Sequence, residues 1–460
     1  MQILLTAIPL SVLPVFYCVW LFTKTPIYLE SVFAGTLLLA LVSVLYVKFI
    51  AQCMSFFVPE SPVSVVGREG LRSNRRSGVR EILVLLTAIF VFRVLMIILC
   101  YYIYYRQNGY ACTFFSAQRM FGSQLDARHY MAIAEHGYVT STANGANLTL
   151  VFLPLYSYLT KIAAAFSGNY VRAGFFVNHI AAIMGCLMLY LLVKIDFDRK
   201  TARRAVKYFC ILPAACLLYA NMSDSLFFAL SVTSLYFMRK RRFPLAALAA
   251  GFACYTRLIG VTLLVPLIME YAKMLSDARI DPKIHEKHYY LKTALTGCSI
   301  LIVPLFVGIY LLQNYLLWGN WFQFLVYQKE NWYQTFSWFF QTAGYQTDYL
   351  IGGIVSGTTS TVLGTWIPNL VYIFASVSVL LLSCKRMRAS YVAYFGAYFL
   401  MAVSVSWLLS APRYLTCCFP LILGLALLTR RKAVDIPLTL VSLAGFVIYL
   451  MGLVSGYPIY

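Results

Sequence analysis

The residues best suited to catalysis are acids, and they are scarce: the 460-residue chain has 16 Asp and Glu against 37 Lys and Arg. One acid, Asp126, lies three residues after Ser123, a spacing that is typical of a helix N-terminus. Gly137 is a suitable C-terminal stop, so the pattern predicts a short helix of about 13 residues. An acid in its first turn could cap the backbone amides, or it could face a cavity and act as a general base.

The same short helix would bring further polar side chains beside Asp126. At about 100° per residue, one face of the helix carries Asp126, His129, Tyr130 and His136. Glu135 falls on the opposite face, where an orienting or solvated role is expected. The two histidines could hold a metal ion, but only one acid lies beside them and the His-Glu-x-x-His spacing is missing. We therefore predict neither a metal nor a cofactor.

Three charged residues further along the chain border apolar segments. Asp224 lies at a turn between two short apolar segments, while Arg257 and Arg413 have no acidic neighbour in the sequence. An acid at the bilayer centre costs about 2.5–3.5 kcal/mol, so Asp224 should face protein or a wet cavity. Each arginine could simply extend to the membrane surface, but two arginines and two acids converging on one face would suit a phosphate group.

The elements that must position these residues are membrane helices. Apolar residues make up 61% of the chain and charged residues only 12%, which excludes a soluble globule and predicts an all-α polytopic membrane protein. The apolar pattern predicts about 13 transmembrane helices, at 3–22, 31–57, 82–105, 172–195, 205–221, 224–238, 243–257, 259–273, 292–317, 367–383, 390–409, 414–429 and 435–455. Several later spans are short, as expected of helices that line a cavity.

Basic residues set the predicted orientation. With the N-terminus inside, thirteen crossings place the basic clusters between the spans on the cytoplasmic side, and these clusters hold 26 of the 37 Lys and Arg. This pattern explains the net charge of +21 without nucleic acid, which we do not expect as a partner. The apolar stretch 151–166 would break the pattern if it crossed, so we expect it on the outer surface or re-entrant.

Composition divides the chain into three predicted parts. Residues 1–58 form an N-terminal two-helix membrane extension, 59–81 a basic cytoplasmic linker, and 82–455 a transmembrane catalytic domain. That domain carries two large outer loops, 106–171 and 318–366. Long loops on one side only are the natural place for chemistry, so we expect the active site there.

Six short motifs lie within about residues 85–430, at Leu125–Tyr138, Phe152–Tyr156, Ser223–Phe227, Thr256–Gly260, Gly319–Trp332 and Pro412–Pro420. In this order they resemble the motifs of the GPI mannosyltransferase 2 (phosphatidylinositol-glycan class V) family and its bacterial relatives. Three positions depart from the family pattern: Leu125 replaces Trp, Asp224 replaces Glu, and Asn320 replaces Asp. The last departure argues against an essential acid at position 320.

The resemblance implies a GT-C-type glycosyltransferase fold with a sugar donor carried on a polyprenyl (dolichol-type) phosphate. It implies inverting transfer of a hexose, by family likeness mannose, to a lipid-linked or glycan acceptor on the outer or luminal face, with Asp126 as general base. Membrane lipids are the other expected partners. The form of Thr256–Gly260 favours a bacterial cytoplasmic membrane; in a eukaryote the endoplasmic reticulum membrane is expected.

This expected reaction gives each site residue a hypothetical role. Arg413 and Arg257 would contact the leaving phosphate, and Asp224 and His129 would shape the site. The remaining expected substrate contacts are Glu135, Tyr130 and Tyr414. The lipid tail would lie between the short spans, with Tyr and Trp residues of 318–366 covering the sugar.

Two other classes of protein stay open at this stage. A lipid-linked-sugar flippase or other transporter also has many spans and a polar cavity, but it predicts charges at mid-membrane depth and repeat symmetry. A non-catalytic membrane scaffold is the second, and the departures at Leu125 and Asn320 keep it open.

Overall fold

The computed structural model describes residues 2–24, 28–58, 75–109, 113, 120–138, 148–278, 287–457 and 459. Within these ranges the fold is helical, apart from an isolated β-bridge between Phe336 and Val405. Most of the predicted linker 59–81 lies outside the described residues. The helix that contains the predicted span 82–105 begins at Arg75, within the last residues of the predicted linker.

Helical structure lies at each of the thirteen predicted spans. In chain order the α-helices are α1 Gln2–Thr23, α2 Leu29–Phe56, α3 Arg75–Asn108, α4 Ala127–His136, α5 Leu155–Ser167, α6 Tyr170–Asp196, α7 Arg199–Ile211, α8 Asp224–Arg239, α9 Phe243–Thr256, α10 Leu264–Ala278, α11 Lys287–Cys298, α12 Ile302–Trp318, α13 Gln323–Trp332, α14 Phe339–Val355, α15 Ile367–Ser383, α16 Ala389–Val403, α17 Ala411–Thr416, α18 Phe419–Leu428 and α19 Lys432–Val454. Shorter helical turns fall at Leu148–Val151, Pro213–Tyr219, Leu258–Leu263, Ser299–Leu301, Thr359–Thr361, Val362–Trp366 and Cys384–Arg386.

Seven helical segments of the described chain are long and apolar enough to cross a membrane. They are Leu29–Phe56, Gly78–Asn108, Tyr170–Asp196, Leu258–Ala278, Thr293–Trp318, Thr359–Arg386 and Lys432–Val454. The number is eight if the bent pair of helices Pro213–Tyr219 and Asp224–Arg239 counts as one span. The described chain also has four shorter apolar helices. The protein is therefore a multi-pass membrane protein, while the count of thirteen crossings stays a prediction.

Both regions predicted as outer loops contain helices. Most of the stretch 151–166 lies in α5, and the region 318–366 contains α13 and α14. Helix α14 packs closely along the N-terminal helices, because a Cβ atom at Gly344 would lie only 2.8 Å from the Trp20 ring. Lys24 Nζ also contacts Asp348 Oδ2 at 2.8 Å. The N-terminal helices thus pack against part of the predicted outer region.

Three places where helices end or turn sharply carry the charged residues of the site. The chain turns by 106° between the helical turn Pro213–Tyr219 and α8, which begins with Asp224. Helix α9 ends just before Arg257, and the six-residue α17 carries Arg413. Helix α8 then runs about 24 Å to Arg239, whose guanidinium contacts Asp196 at 2.5 Å. Asp224 and the ion pair of Arg239 with Asp196 therefore lie at opposite ends of α8.

Candidate active site

The helix that carries Asp126 differs from its prediction at one end. It begins at Ala127 and has 10 residues, because Ser123 does not cap it: the Ser123 hydroxyl donates to the Met120 carbonyl at 3.1 Å. Asp126 occupies the N-cap position without a side-chain bond to the helix backbone. The predicted stop is correct, since Gly137 ends the helix with φ 74°. The Asp126 carboxylate is therefore not used as a helix cap.

Instead, Arg413 joins Asp126 to Asp224. Its Nη1 donates to Asp126 Oδ2 at 2.5 Å, and its Nε donates to Asp224 Oδ2 at 2.9 Å. Arg257 donates from Nη1 to the other oxygen, Oδ1, of Asp224. The two acids and two arginines that the sequence analysis singled out form one ion-paired chain, in the order Asp126, Arg413, Asp224 and Arg257.

Burial differs sharply along this ion-paired chain. The side chains of Asp224 and Arg413 are 1% and 3% exposed, whereas that of Asp126 is 31% exposed. Two positive and two negative charges cancel, as burial requires, because an unpaired charge in a low-dielectric interior is strongly destabilising. Asp126 is the most exposed member, and its Oδ1 makes no hydrogen bond to the described residues.

A cavity of about 1100 Å³ opens above the ion-paired chain. Its lining includes Asp126, Arg257 and Arg413, and Asp126 is the one carboxylate among the described residues that line it. Five of the other predicted residues also line the cavity: His129, Tyr130 and Tyr414, together with Trp332 and Tyr333 of the 318–366 region. The cavity is large enough for a sugar unit and part of its carrier.

Aromatic rings form one wall of this cavity. The His129 ring stacks on Phe152 with centroids 4.7 Å apart, and Trp332 meets Phe152 edge-on at 5.9 Å. The Tyr130 hydroxyl lies 2.7 Å from Ser223 Oγ, which connects α4 to the turn before Asp224. Burial and the neighbouring Arg128 lower the pKa of His129, while Asp126 opposes that shift. Burial therefore favours the neutral form of His129.

Tyr414 and Glu135 have different positions relative to the cavity. The Arg257 guanidinium carbon lies 4.7 Å from the centre of the Tyr414 ring, a cation–π contact that holds both side chains. Glu135 lies outside the lining, 52% exposed, with its Oε2 3.8 Å from Nε2 of His136. The structure thus does not bring Glu135 to the site, as its place on the opposite helix face implied. The described residues hold no group of three His, Cys, Asp or Glu suited to a metal.

The sequence analysis missed one cation of the site. Arg128 lines the cavity, is exposed, and forms no ion pair with the described residues. Its signal was present, since it lies two residues after Asp126 in the same motif. Asn320, by contrast, is not in the lining: its side-chain oxygen accepts from the backbone N–H of Phe322 at 3.0 Å and shapes the turn before α13.

The sequence is similar to one known family and to one known protein. Residues 153–307 match the family described as dolichyl-phosphate-mannose-protein mannosyltransferase. GPI mannosyltransferase 2 of Yarrowia lipolytica is 26% identical over 145 residues, which cover 31% of this chain and 37% of that protein. The chain thus matches little more than a third of the length of this relative. Both matches are named as mannosyltransferases, and together they confirm the predicted resemblance at the level of a glycosyltransferase.

Two solved structures show a partial likeness to this chain. ArnT from Cupriavidus metallidurans, bound to undecaprenyl phosphate, is 14% identical with a TM-score of 0.46, covering 76% of this chain and 62% of ArnT. The oligosaccharyltransferase AglB from Archaeoglobus fulgidus, in complex with an inhibitory peptide and a dolichol-phosphate, is 12% identical with a TM-score of 0.38. That likeness covers 72% of this chain and 51% of AglB.

Proposed function

We propose that this protein is an integral-membrane glycosyltransferase that transfers a hexose from a polyprenyl- or dolichyl-phosphate donor to a lipid-linked or glycan acceptor. The observation that carries the proposal is the position of Asp126 at the exposed end of a buried ion-paired chain. Asp126 is the one carboxylate among the described residues that line the cavity. The two sequence relatives, both named as mannosyltransferases, support mannose as the sugar. The positive-inside pattern supports transfer on the outer or luminal face.

Asp126 acts as the general base in this reaction. It accepts the proton of the acceptor hydroxyl while that oxygen bonds to the anomeric carbon of the donor sugar. The bond between the anomeric carbon and the phosphate oxygen breaks, and the lipid phosphate leaves with the electron pair. Attack on the opposite face inverts the anomeric centre, and no enzyme nucleophile is needed. The bond from Arg413 to Oδ2 fixes the carboxylate and leaves Oδ1 for the acceptor.

Cationic groups stabilise the leaving phosphate. Arg413 and Arg257 border the cavity, but each is already bonded to Asp224. The ion-paired chain is neutral by itself, so the positive charge of Arg128 is not compensated. The cavity therefore carries a net positive charge, which suits one phosphate group. We therefore assign the phosphate contact to Arg128 together with Arg257, while Arg413 chiefly holds Asp126.

Aromatic residues cover the sugar. Trp332 and Tyr333 at the end of α13 line the cavity, and Trp407 lines it from the segment before α17. Such rings offer flat apolar faces against the C–H faces of a hexose, and their polar edges can hydrogen-bond its hydroxyl groups. The apolar lining from 401–409 provides a place for the first isoprene units of the carrier.

The test is transfer by the purified protein from radiolabelled polyprenyl-phosphate-mannose to a membrane lipid extract. We expect a labelled product with the natural chain and none with Asp126→Asn. Glu135→Gln is the matched control, because it neutralises an acid of the same helix outside the cavity and should keep full activity. Product formation by Asp126→Asn would refute the base assignment. Donor binding without product from any lipid extract would instead favour the transporter class.

A further inference from the structure

The chain turn that ends in Asp224 leaves backbone carbonyls without helical partners. Helix α7 ends at Ile211, the turn Pro213–Tyr219 follows, and α8 starts again at a 106° angle. The carbonyls of Leu218 and Ala220 lie at this break, next to the fully buried Asn221 and Ser223. Within a membrane such groups must find protein donors, because no water is present to replace a helical bond.

Two local donors reach these carbonyls: the Met222 N–H donates to Ala220 at 2.7 Å, and Ser225 Oγ donates to Leu218 at 3.4 Å. Two residues of neighbouring helices supply the other donors. Asn178 of α6 donates from Nδ2 to the Leu218 carbonyl at 2.8 Å and to the Ala220 carbonyl at 2.9 Å. Arg93 of α3 donates from Nη2 to the same Leu218 carbonyl at 3.0 Å. Its guanidinium carbon also lies 4.3 Å from the centre of the Tyr219 ring. The break is therefore held from two sides by side chains that lie outside the cavity lining.

Arg93 is unusual for its place in the membrane. It lies midway along the apolar segment Gly78–Asn108, is buried, and forms no ion pair with the described residues. An unpaired charge at this depth is costly and is retained where it has a function. Its hydrogen bond is charge-assisted and hence stronger than one between neutral groups, so Arg93 is well suited to fixing a carbonyl at a helix break.

We propose that Arg93 and Asn178 are positioning residues that fix the turn 213–223 and, through it, Asp224. Asp224 bonds both arginines of the ion-paired chain, so a shift of this turn moves Arg413 and, with it, the Asp126 carboxylate. A displacement of about 1 Å at a catalytic group is enough to slow a reaction about a hundredfold. The effect on transfer rests on the proposed function, whereas the effect on the turn does not.

The experiment measures hydrogen–deuterium exchange of the 213–228 segment in Arg93→Met, in the full-length protein in detergent. Loss of one charge-assisted bond should speed exchange of these amides about tenfold or more. Arg93→Lys keeps a charged donor and should restore most of the protection. Lys48→Met is the matched control, because Lys48 is another cation of a membrane helix that donates to a backbone carbonyl, that of Leu381 at 3.1 Å, away from the site.

Activity measured on the same preparations separates the two proposals. We expect kcat of Arg93→Met to fall about tenfold or more with little change in the donor KM, and Arg93→Lys to recover it. Faster exchange with no transfer by the natural chain supports the positioning role and refutes the proposed function. Unchanged exchange in Arg93→Met overturns the positioning role, whatever the activity. If Arg93→Met does not fold, Asn178→Ala removes the two bonds from Asn178 to the Leu218 and Ala220 carbonyls, and unchanged exchange in that variant also overturns the positioning role.

Discussion

Asp224 is the most deeply buried charge of the site, so its neutralisation is the sharpest test of the ion-paired chain. In Asp224→Asn, the side chain keeps its size but loses its charge, and the cluster changes from neutral to a net charge of +1. Arg413, which is 3% exposed, retains only Asp126, and Arg257, which is 13% exposed, retains no acid among the described residues. Removing one partner of a buried ion pair costs about 3–5 kcal/mol.

The assay is unfolding by SDS in mixed micelles, with the free energy compared between variants. Asp224→Asn should lose about 3–5 kcal/mol, and the added change Arg257→Gln should recover part of it by restoring a neutral cluster. Glu135→Gln is the control: its contact with His136 is exposed, so it should lose at most about 1 kcal/mol. A loss below about 1 kcal/mol for Asp224→Asn would refute the claim that this acid compensates two buried guanidinium groups.

The remaining predictions concern the cavity. Asp126→Asn should abolish transfer yet lower stability by only about 1 kcal/mol, because its side chain is 31% exposed; SDS unfolding beside the transfer assay checks both. Arg128→Gln should raise the donor KM about tenfold at low salt, and a steady-state titration at two ionic strengths would show the difference shrinking as salt screens the charge. Burial lowers the pKa of His129, so the folded protein binds a proton less readily than the unfolded chain. The stability that neutral His129 contributes is complete above about pH 6.5 and is lost as the pH falls below it. His129→Phe should remove that acid sensitivity in unfolding measured from pH 7.5 to pH 5; an unaltered profile would contradict the role of burial.

The sequence predicted which residues form the site better than it predicted how they pair. Residue type and position identified Asp126, Asp224, Arg257 and Arg413, because charges beside apolar segments need a protein or aqueous environment. Their pairing could not be predicted, since Arg413 bridges acids that lie 189 and 287 residues away in the chain. Helical periodicity separated Glu135 from the Asp126 face correctly, and the structure leaves Glu135 outside the cavity lining although it was an expected substrate contact.

The start of the Asp126 helix shows why a local signal can fail. Ser123 and Asp126 have the spacing of a capping motif, but Leu125 between them has φ 48°, a left-handed conformation that turns the chain before the helix begins. The bond to Arg413 then draws the Asp126 carboxylate away from the backbone amides. A charge-assisted bond to a buried guanidinium is stronger than a cap at a half-exposed helix end. The tertiary contact therefore overrides the local pattern.

Arg93 illustrates the other limit of prediction from composition. A single arginine inside a long apolar segment does not change its identification as a membrane span, so the sequence analysis passed over it. Its partners are backbone carbonyls, which every residue carries and which no sequence motif marks. Only the break between α7 and α8 makes the Leu218 carbonyl available, and that same break sets the position of Asp224. The irregular backbone that places a charge at the cavity thus requires a polar support within the membrane, and the support is visible only once the fold is known.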